Sequence, residues 1–286
     1  MKGIWLPIIT PFINGEVDYI SFKKLIIHYI NKGITGIIPL GTTGECPAIE
    51  PDEFDKIVQK TVETVNGKIP VYVGIGGNYT KKVITQIKHT EQFNINGILS
   101  VCPYYNKPDQ RGLYEHFKII AENTSLPVII YNIPYRTGVN MSNETLFKLA
   151  EIKNIVGVKD SCADTNQSIE LIRNKPEGFY VFTGDDVFFY NNLANGGDGG
   201  IMASAHLNTA KYINIFRLMH QNKYQEALKI WKDISEIIHY LFKEPNPAPL
   251  KYVLSKMSLI KTDEVRLPLV KITNSLQSHL DKFLNN

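Results

Sequence analysis

Short β-branched runs recur along this chain, and a longer stretch with helical periodicity follows each of them. The runs fall at 4–10, 36–41, 69–75, 98–103, 128–133, 155–160, 180–184 and 200–205. The segments that follow, at 21–32, 52–65, 81–93, 112–122, 143–150, 166–174, 187–194 and 210–221, are amphipathic enough to cover a sheet. A strand-then-helix unit repeated eight times predicts an α/β fold of the TIM (β/α)8 barrel type. An open doubly wound sheet is the competitor, but it uses fewer strands and announces a nucleotide loop after the first. Here the first run ends in Thr10-Pro11-Phe12. The barrel is assigned to 1–222. From 223 to 286 the pattern reads as helices at 224–242, 248–257 and 269–284, broken by Glu244-Pro245-Asn246-Pro247. This predicts a C-terminal helical appendix packed on the barrel rather than a separate domain.

Composition narrows the function classes. Apolar residues supply 43% and charged residues 21%, which suits a chain with a substantial core and argues against disorder. The net charge of +3 is spread, with Lys and Arg scattered among Asp and Glu, so no nucleic-acid partner is expected. No apolar stretch approaches the roughly 18 residues that span a bilayer. The opening MKGIWLPIITPF runs into a strand pattern without a small-residue cleavage site, and a cytoplasmic protein with no membrane partner is expected. Cys46, Cys102 and Cys162 are odd in number and far apart, which favours reduced, partly buried thiols over disulfides or a zinc site. The His residues show no metal-ligand spacing, so no metal is expected. Gly74-Ile75-Gly76-Gly77-Asn78 imitates a dinucleotide fingerprint but lacks its final glycine.

In a barrel of this kind, chemistry sits at the carboxyl ends of the strands. The sixth run, Ile155-Val156-Gly157-Val158-Lys159-Asp160, carries a lysine in an apolar setting, and alternation sends Lys159 and Asp160 to opposite faces. Facing inward, Lys159 loses water, its pKa falls, and the neutral amine becomes a nucleophile for a carbonyl. Facing outward, it is a lysine snorkelling to solvent. The second run ends in Gly41-Thr42-Thr43-Gly44-Glu45, where backbone N–H groups and two hydroxyls suit a carboxylate. The same residues also make an ordinary capped turn. Tyr104, Tyr105 and Tyr131 stand at the ends of the fourth and fifth runs, either as proton shuttles with lowered pKa or as amphipathic packing residues. Arg136 follows as a planar carboxylate donor or a surface arginine.

Gly36–Glu45 taken as one segment, Pro103-Tyr104-Tyr105-Asn106, the run from Tyr131 to Gly138, and Gly157-Val158-Lys159 together resemble the dihydrodipicolinate synthase and N-acetylneuraminate lyase superfamily. The likeness extends from Thr10-Pro11 through Gly184-Asp185-Asp186 and Gly199-Gly200-Ile201 to Glu244-Pro245-Asn246-Pro247 and Arg266-Leu267-Pro268. The Thr-Thr turn, the Tyr pair and Arg136 are similar to the dihydrodipicolinate synthase branch. The resemblance implies a Schiff-base lyase that joins pyruvate, held on Lys159, to L-aspartate 4-semialdehyde, giving 4-hydroxy-tetrahydrodipicolinate on the route to diaminopimelate and lysine. It implies no cofactor. Thr42 and Thr43 would bind the pyruvate carboxylate, and Thr43, Tyr105 and Tyr131 would form a proton relay. Arg136 would hold the semialdehyde carboxylate, and the backbone of Gly184 and Ile201 would line the pocket. Tyr105 would reach into a neighbouring subunit, in a homotetramer built as a dimer of dimers.

The segment after the lysine is Asp160-Ser161-Cys162, where the family commonly has Glu-Ala-Ser or Glu-Ala-Thr. A Lys-Asp pair also occurs in sugar-acid aldolases of the superfamily, so the alternative is a 2-oxo-3-deoxy sugar acid aldolase or an N-acetylneuraminate lyase. The family's feedback site for free lysine corresponds here to Cys46, Pro47, Pro51, Phe54, Asn78, Lys82 and Tyr104. Lys82 stands where an acid would pair with the ligand's ammonium, which predicts insensitivity to lysine.

Overall fold

The computed structural model describes residues 1–284, so the predicted appendix at 223–286 runs two residues beyond the described ones. Eight strands are all paired in parallel: β1 (Gly3–Leu6), β2 (Gly36–Ile37), β3 (Tyr72–Gly74), β4 (Gly97–Val101), β5 (Val128–Asn132), β6 (Ile155–Asp160), β7 (Tyr180–Thr183) and β8 (Gly199–Ile201). Their spatial order is β2-β1-β8-β7-β6-β5-β4-β3. The two ends meet through an Ile37–Val71 bridge, and Gly74 N–H donates to Pro39 O at 3.0 Å, closing the barrel.

Several strands are shorter than the apolar runs that announce them, and proline explains where they stop. It has no N–H for the ladder. The first strand ends at Leu6 before Pro7, the second at Ile37 before Pro39, and the third starts after Pro70. The last helix likewise begins at Asn274 rather than 269, after Pro268 and an irregular stretch that ends on Thr273. Helices elsewhere are capped as their sequences ask: Asp18, Asp109, Ser142 and Asp164 each accept backbone N–H groups of the following first turn. Each such cap contributes about 1 kcal/mol.

Side-chain alternation divides the core. Trp5, Tyr72, Leu99, Ile129, Tyr131 and Phe182 are among the residues filling the barrel interior. Trp5 is fully buried, edge-on to Tyr72 at 4.9 Å, and a Cβ on Gly36 would come within 2.3 Å of its ring. Truncating a buried Trp costs about 3–5 kcal/mol. A larger cluster joins the outward strand faces to the helices, and the long helix Tyr224–Leu241 adds Ala227, Ile234 and Ile238 to it. Leu241, Tyr252, Val253, Leu276 and Leu280 build a smaller cluster between the last helices. Among the described residues no helix is long and apolar enough to cross a membrane.

Candidate active site

Lys159 and Tyr131 are direct register partners across β5 and β6, and Phe182 partners Lys159 from β7. Parallel pairing points all of them into the barrel. Lys159 is only 6% exposed, and its Nζ lies 4.1 Å from the centre of the Tyr131 ring. Among the described residues Lys159 makes no salt bridge. Burial lowers its pKa from 10.5 to about 8, although the negative charge of Asp186 pulls part of the way back. At pH 7 a group titrating near 8 is neutral in about one molecule in ten, against about one in three thousand for an unperturbed lysine.

Tyr131 behaves differently from the sequence expectation of a phenol with lowered pKa. Burial raises it well above the usual range, and Ser161, Arg136 and Thr42 only moderate that rise. The phenol therefore holds its proton at rest and is set up as a donor.

The Gly41–Glu45 turn is closed by Gly44 N–H donating to Gly41 O and by Glu45 N–H donating to Thr42 O. Thr43 is buried, and its Oγ1 accepts from Asn246 Nδ2 at 3.0 Å. Glu45 sits at a left-handed φ of 54°. Its carboxylate is anchored by the C-terminal segment: Oε1 meets Lys251 as a charge contact rather than an aligned hydrogen bond, and Oε2 accepts from Arg266 N–H at 3.0 Å. The Thr-Thr turn is thus held by residues some two hundred positions away. Sequence reading met Asn246 only within Glu244-Pro245-Asn246-Pro247 and gave neither it nor Lys251 a role, since nothing local links them to position 43 or 45.

Thr42, Tyr131, Arg136 and Asn246 share a cavity of about 560 Å³. A second hollow of about 830 Å³ is lined by Arg136, Ser161, Gly184, Asp186, His239 and Asn246. Arg136 and Asn246 border both, so the two are halves of one barrel mouth. Arg136 is exposed, its Nε donates to Tyr135 Oη at 3.0 Å, and among the described residues no carboxylate pairs with it. Gly184 is required here: a Cβ on it would stand 2.4 Å from Lys159 Cε and 2.4 Å from Ser161 Oγ. Ile201 is fully buried in the same inner cluster as Tyr131.

Tyr105 is not brought to this mouth within the chain. It is 90% exposed, on a backbone with φ of 72°. Asp160 faces away from Lys159, as alternation requires, and its carboxylate accepts from Ser168 Oγ and Cys162 N–H. Asp186, which sequence reading met only as part of Gly184-Asp185-Asp186, is buried beside the site. Burial raises it to about 6 and Ser204 N–H donates to its Oδ1 at 2.6 Å. Cys46, Pro51, Phe54, Asn78, Lys82 and Tyr104 line a further cavity of about 670 Å³, which adjoins the first through Cys46 and Tyr104, while Pro47 lies in the wall of the first alone.

The profile of the dihydrodipicolinate synthetase family matches residues 1–286. The chain is 55% identical over 284 residues to 4-hydroxy-tetrahydrodipicolinate synthase 2 of Clostridium acetobutylicum, with 99% of each covered. The crystal structure of dihydrodipicolinate synthase from Thermotoga maritima superposes with a TM-score of 0.97 at 37% identity, covering 100% of this chain and 98% of that one. A monomeric dihydrodipicolinate synthase variant superposes equally well, with a TM-score of 0.97 at 37% identity, covering 100% of this chain and 96% of the other. With its barrel, its buried lysine and its full-length relatives in agreement, the chain belongs to the dihydrodipicolinate synthetase family.

Proposed function

We propose that this chain is a lyase that condenses pyruvate with L-aspartate 4-semialdehyde to 4-hydroxy-tetrahydrodipicolinate, on the route to diaminopimelate and lysine. The observation that carries the residue assignment is Lys159: a buried amine inside the barrel, against the Tyr131 ring, with no salt-bridge partner among the described residues and titrating near 8. Its neutral Nζ adds to C2 of pyruvate, the carbonyl oxygen leaves as water, and a protonated imine remains. That imine acidifies the methyl group. Loss of a C3 proton gives an enamine, whose C3 attacks the aldehyde carbon, and the new alkoxide takes up a proton. The amino group of the adduct then closes the ring on C2 and releases Lys159.

Thr42 and Thr43 receive the pyruvate carboxylate in this scheme, with Thr43 oriented by Asn246. Tyr131, protonated at rest, is the nearest proton donor to the imine. Gly184 and Ile201 shape the wall behind it. Arg136, exposed at the mouth and unpaired by any carboxylate among the described residues, holds the semialdehyde carboxylate. This favours an acidic aldehyde over the polyhydroxylated partner of a sugar-acid aldolase or sialic acid lyase. Tyr105, turned outward and 90% exposed, supplies the third hydroxyl of the relay to a neighbouring subunit in a homotetramer assembled as a dimer of dimers. The unpaired thiols Cys46, Cys102 and Cys162 fit a reducing, cytoplasmic setting.

The test is reductive trapping. Borohydride with pyruvate should leave one pyruvyl adduct per chain, on the Lys159 peptide. Because the neutral amine attacks, the rate of adduct formation should climb about tenfold per pH unit in acid and level off above about pH 8. An unmodified Lys159 peptide from active enzyme would sink the mechanism.

A further inference from the structure

One buried hydroxyl in the Lys159 site has no partner among the described residues. Ser161 continues β6 by one residue, its N–H donating to Asn132 O at 2.8 Å, so alternation returns it to the inward face that carries Lys159. It is 5% exposed, and among the described residues its Oγ finds no hydrogen-bond partner. Native proteins rarely leave such a group unsatisfied without a reason. Its outward-facing neighbours are satisfied: Asp160 accepts from Ser168, and Cys162 Sγ lies within 3.5 Å of Asp160 and 3.3 Å of Ser168.

Two observations place the orphan hydroxyl. The position that a Cβ on Gly184 would occupy is 2.4 Å from Ser161 Oγ and 2.4 Å from Lys159 Cε, which makes the hydroxyl a near neighbour of the carbon bearing the amine. The same hydroxyl stands close enough to Tyr131 to moderate the rise in its pKa, without meeting it in hydrogen-bonding geometry. Ser161 also lines the hollow shared with Arg136, Gly184 and Asp186, so its hydroxyl stands between Lys159 and the space open to a ligand.

We propose that Ser161 is a further catalytic residue, one that binds the oxygen leaving C2 of the 2-oxo acid during imine formation; this rests on Lys159 as the imine-forming amine. When Nζ adds to C2, the N–C bond forms and the carbonyl π pair moves to oxygen. That oxygen takes a proton, and the nitrogen gives one up, leaving a neutral carbinolamine. The C2–O bond then breaks as the nitrogen lone pair forms C=N, and the departing hydroxide takes a proton from Tyr131 and leaves as water. Ser161 donates its hydrogen bond to that oxygen throughout, steadying it for the proton that Tyr131 gives, with no net change of its own. Solvent reprotonates Tyr131.

The experiment follows exchange of the pyruvate carbonyl oxygen with isotopically labelled water, which the enzyme catalyses each time the imine forms and reverts. Ser161→Ala should slow exchange, and the appearance of the borohydride-trapped adduct, by about tenfold, or about 1.4 kcal/mol of barrier. The final adduct mass and the KM for the aldehyde substrate should not change. Ser161→Cys, similar in shape but a weaker donor, should fall between the two, and it replaces the alanine variant if that one does not fold. Exchange within about twofold of wild type in both variants, or a rise in aldehyde KM with exchange intact, overturns the assignment. Absence of exchange and of adduct in the wild-type enzyme would instead overturn the role given to Lys159.

Discussion

Lys159 and Lys251 form a natural pair of opposites. Both are buried, both titrate near 8 because burial disfavours the ammonium, and both lie against an aromatic face, Tyr131 at 4.1 Å and Phe12 at 4.0 Å. Their surroundings then diverge. Lys251 contacts the buried carboxylate of Glu45 and donates to Glu264 O at 2.8 Å, so its charge is matched on every side. Lys159 has no paired carboxylate among the described residues; Asp186, Tyr135 and Arg136 act on it only through space, and its neighbours Ser161 and Gly184 line a hollow. A depressed lysine pKa is therefore no mark of function by itself. What separates a nucleophile from a strut is a missing partner and an open approach.

The largest expected effects come from removing each lysine in turn. Lys159→Met should abolish the trapped adduct and reduce turnover by about 10³-fold or more, as losses of a covalent catalyst do, while the fold stays intact because an unpaired buried cation has gone. Lys251→Met should do the reverse. It strands Glu45 without its counterion, a change that costs about 3–5 kcal/mol of stability, read by urea unfolding. Adduct formation per folded molecule at saturating pyruvate should survive. Glu45→Gln added to Lys251→Met should recover much of that stability. A fully stable Lys251→Met protein unable to form the imine would break the comparison.

Arg136→Ala is the next largest. Arg136 sits on the open side of Lys159, beyond the imine, so the variant should still form the pyruvate adduct while losing about 2–4 kcal/mol in kcat/KM for aspartate semialdehyde, the worth of a desolvated guanidinium–carboxylate contact. Equal loss for both substrates, or none for either, would make Arg136 structural or the aldehyde a neutral sugar.

The contrast between the two lysines also marks how far the sequence could be read. Lys159 and Tyr131 could be placed on strands because each ends a continuous apolar run of strand length, and the structure sets them opposite each other in register. The eight βα units were legible for the same reason, although Pro7, Pro39 and Pro70 cut the ladders shorter than the apolar runs. Asn246 and Lys251 were illegible as site residues because their partners, Thr43 and Glu45, are distant in sequence and no periodicity encodes that meeting. Ser161 was hidden for a different reason. It lies in a motif read for Lys159 alone, and only the coordinates reveal a buried hydroxyl lacking a partner.

A smaller effect should come from Tyr105, which would complete the open side of Lys159 from another copy. Tyr105→Phe should lower turnover by about 10-fold to 100-fold, the lower range for loss of one proton-transfer group. Mixing it with Lys159→Ala should restore activity in hybrids, since one site of each mixed pair would then hold both groups. No recovery after verified subunit exchange would confine Tyr105 to its own subunit or remove it from catalysis.

A third lysine extends the comparison to an exposed position, where the expected effect is none. Lys82 lines the cavity that also holds Cys46, Phe54, Asn78 and Tyr104, and sits in the first turn of the helix Thr80–Thr90. Free lysine entering this cavity would bring its own ammonium toward that of Lys82. At an effective dielectric near 20, two like charges about 4 Å apart repel by roughly 4 kcal/mol. Solvent at this exposed site reduces that figure severalfold, but a typical allosteric coupling is itself only about 1–3 kcal/mol. Asp52 and Asp55 also line the wall and oppose this repulsion, Asp55 while engaged by His89 Nε2 at 2.9 Å. Initial rates at subsaturating pyruvate should stay flat as lysine is titrated. Half-inhibition below about 1 mM, a binding free energy near 4 kcal/mol, would show that a single exposed cation does not close this cavity to a cationic ligand.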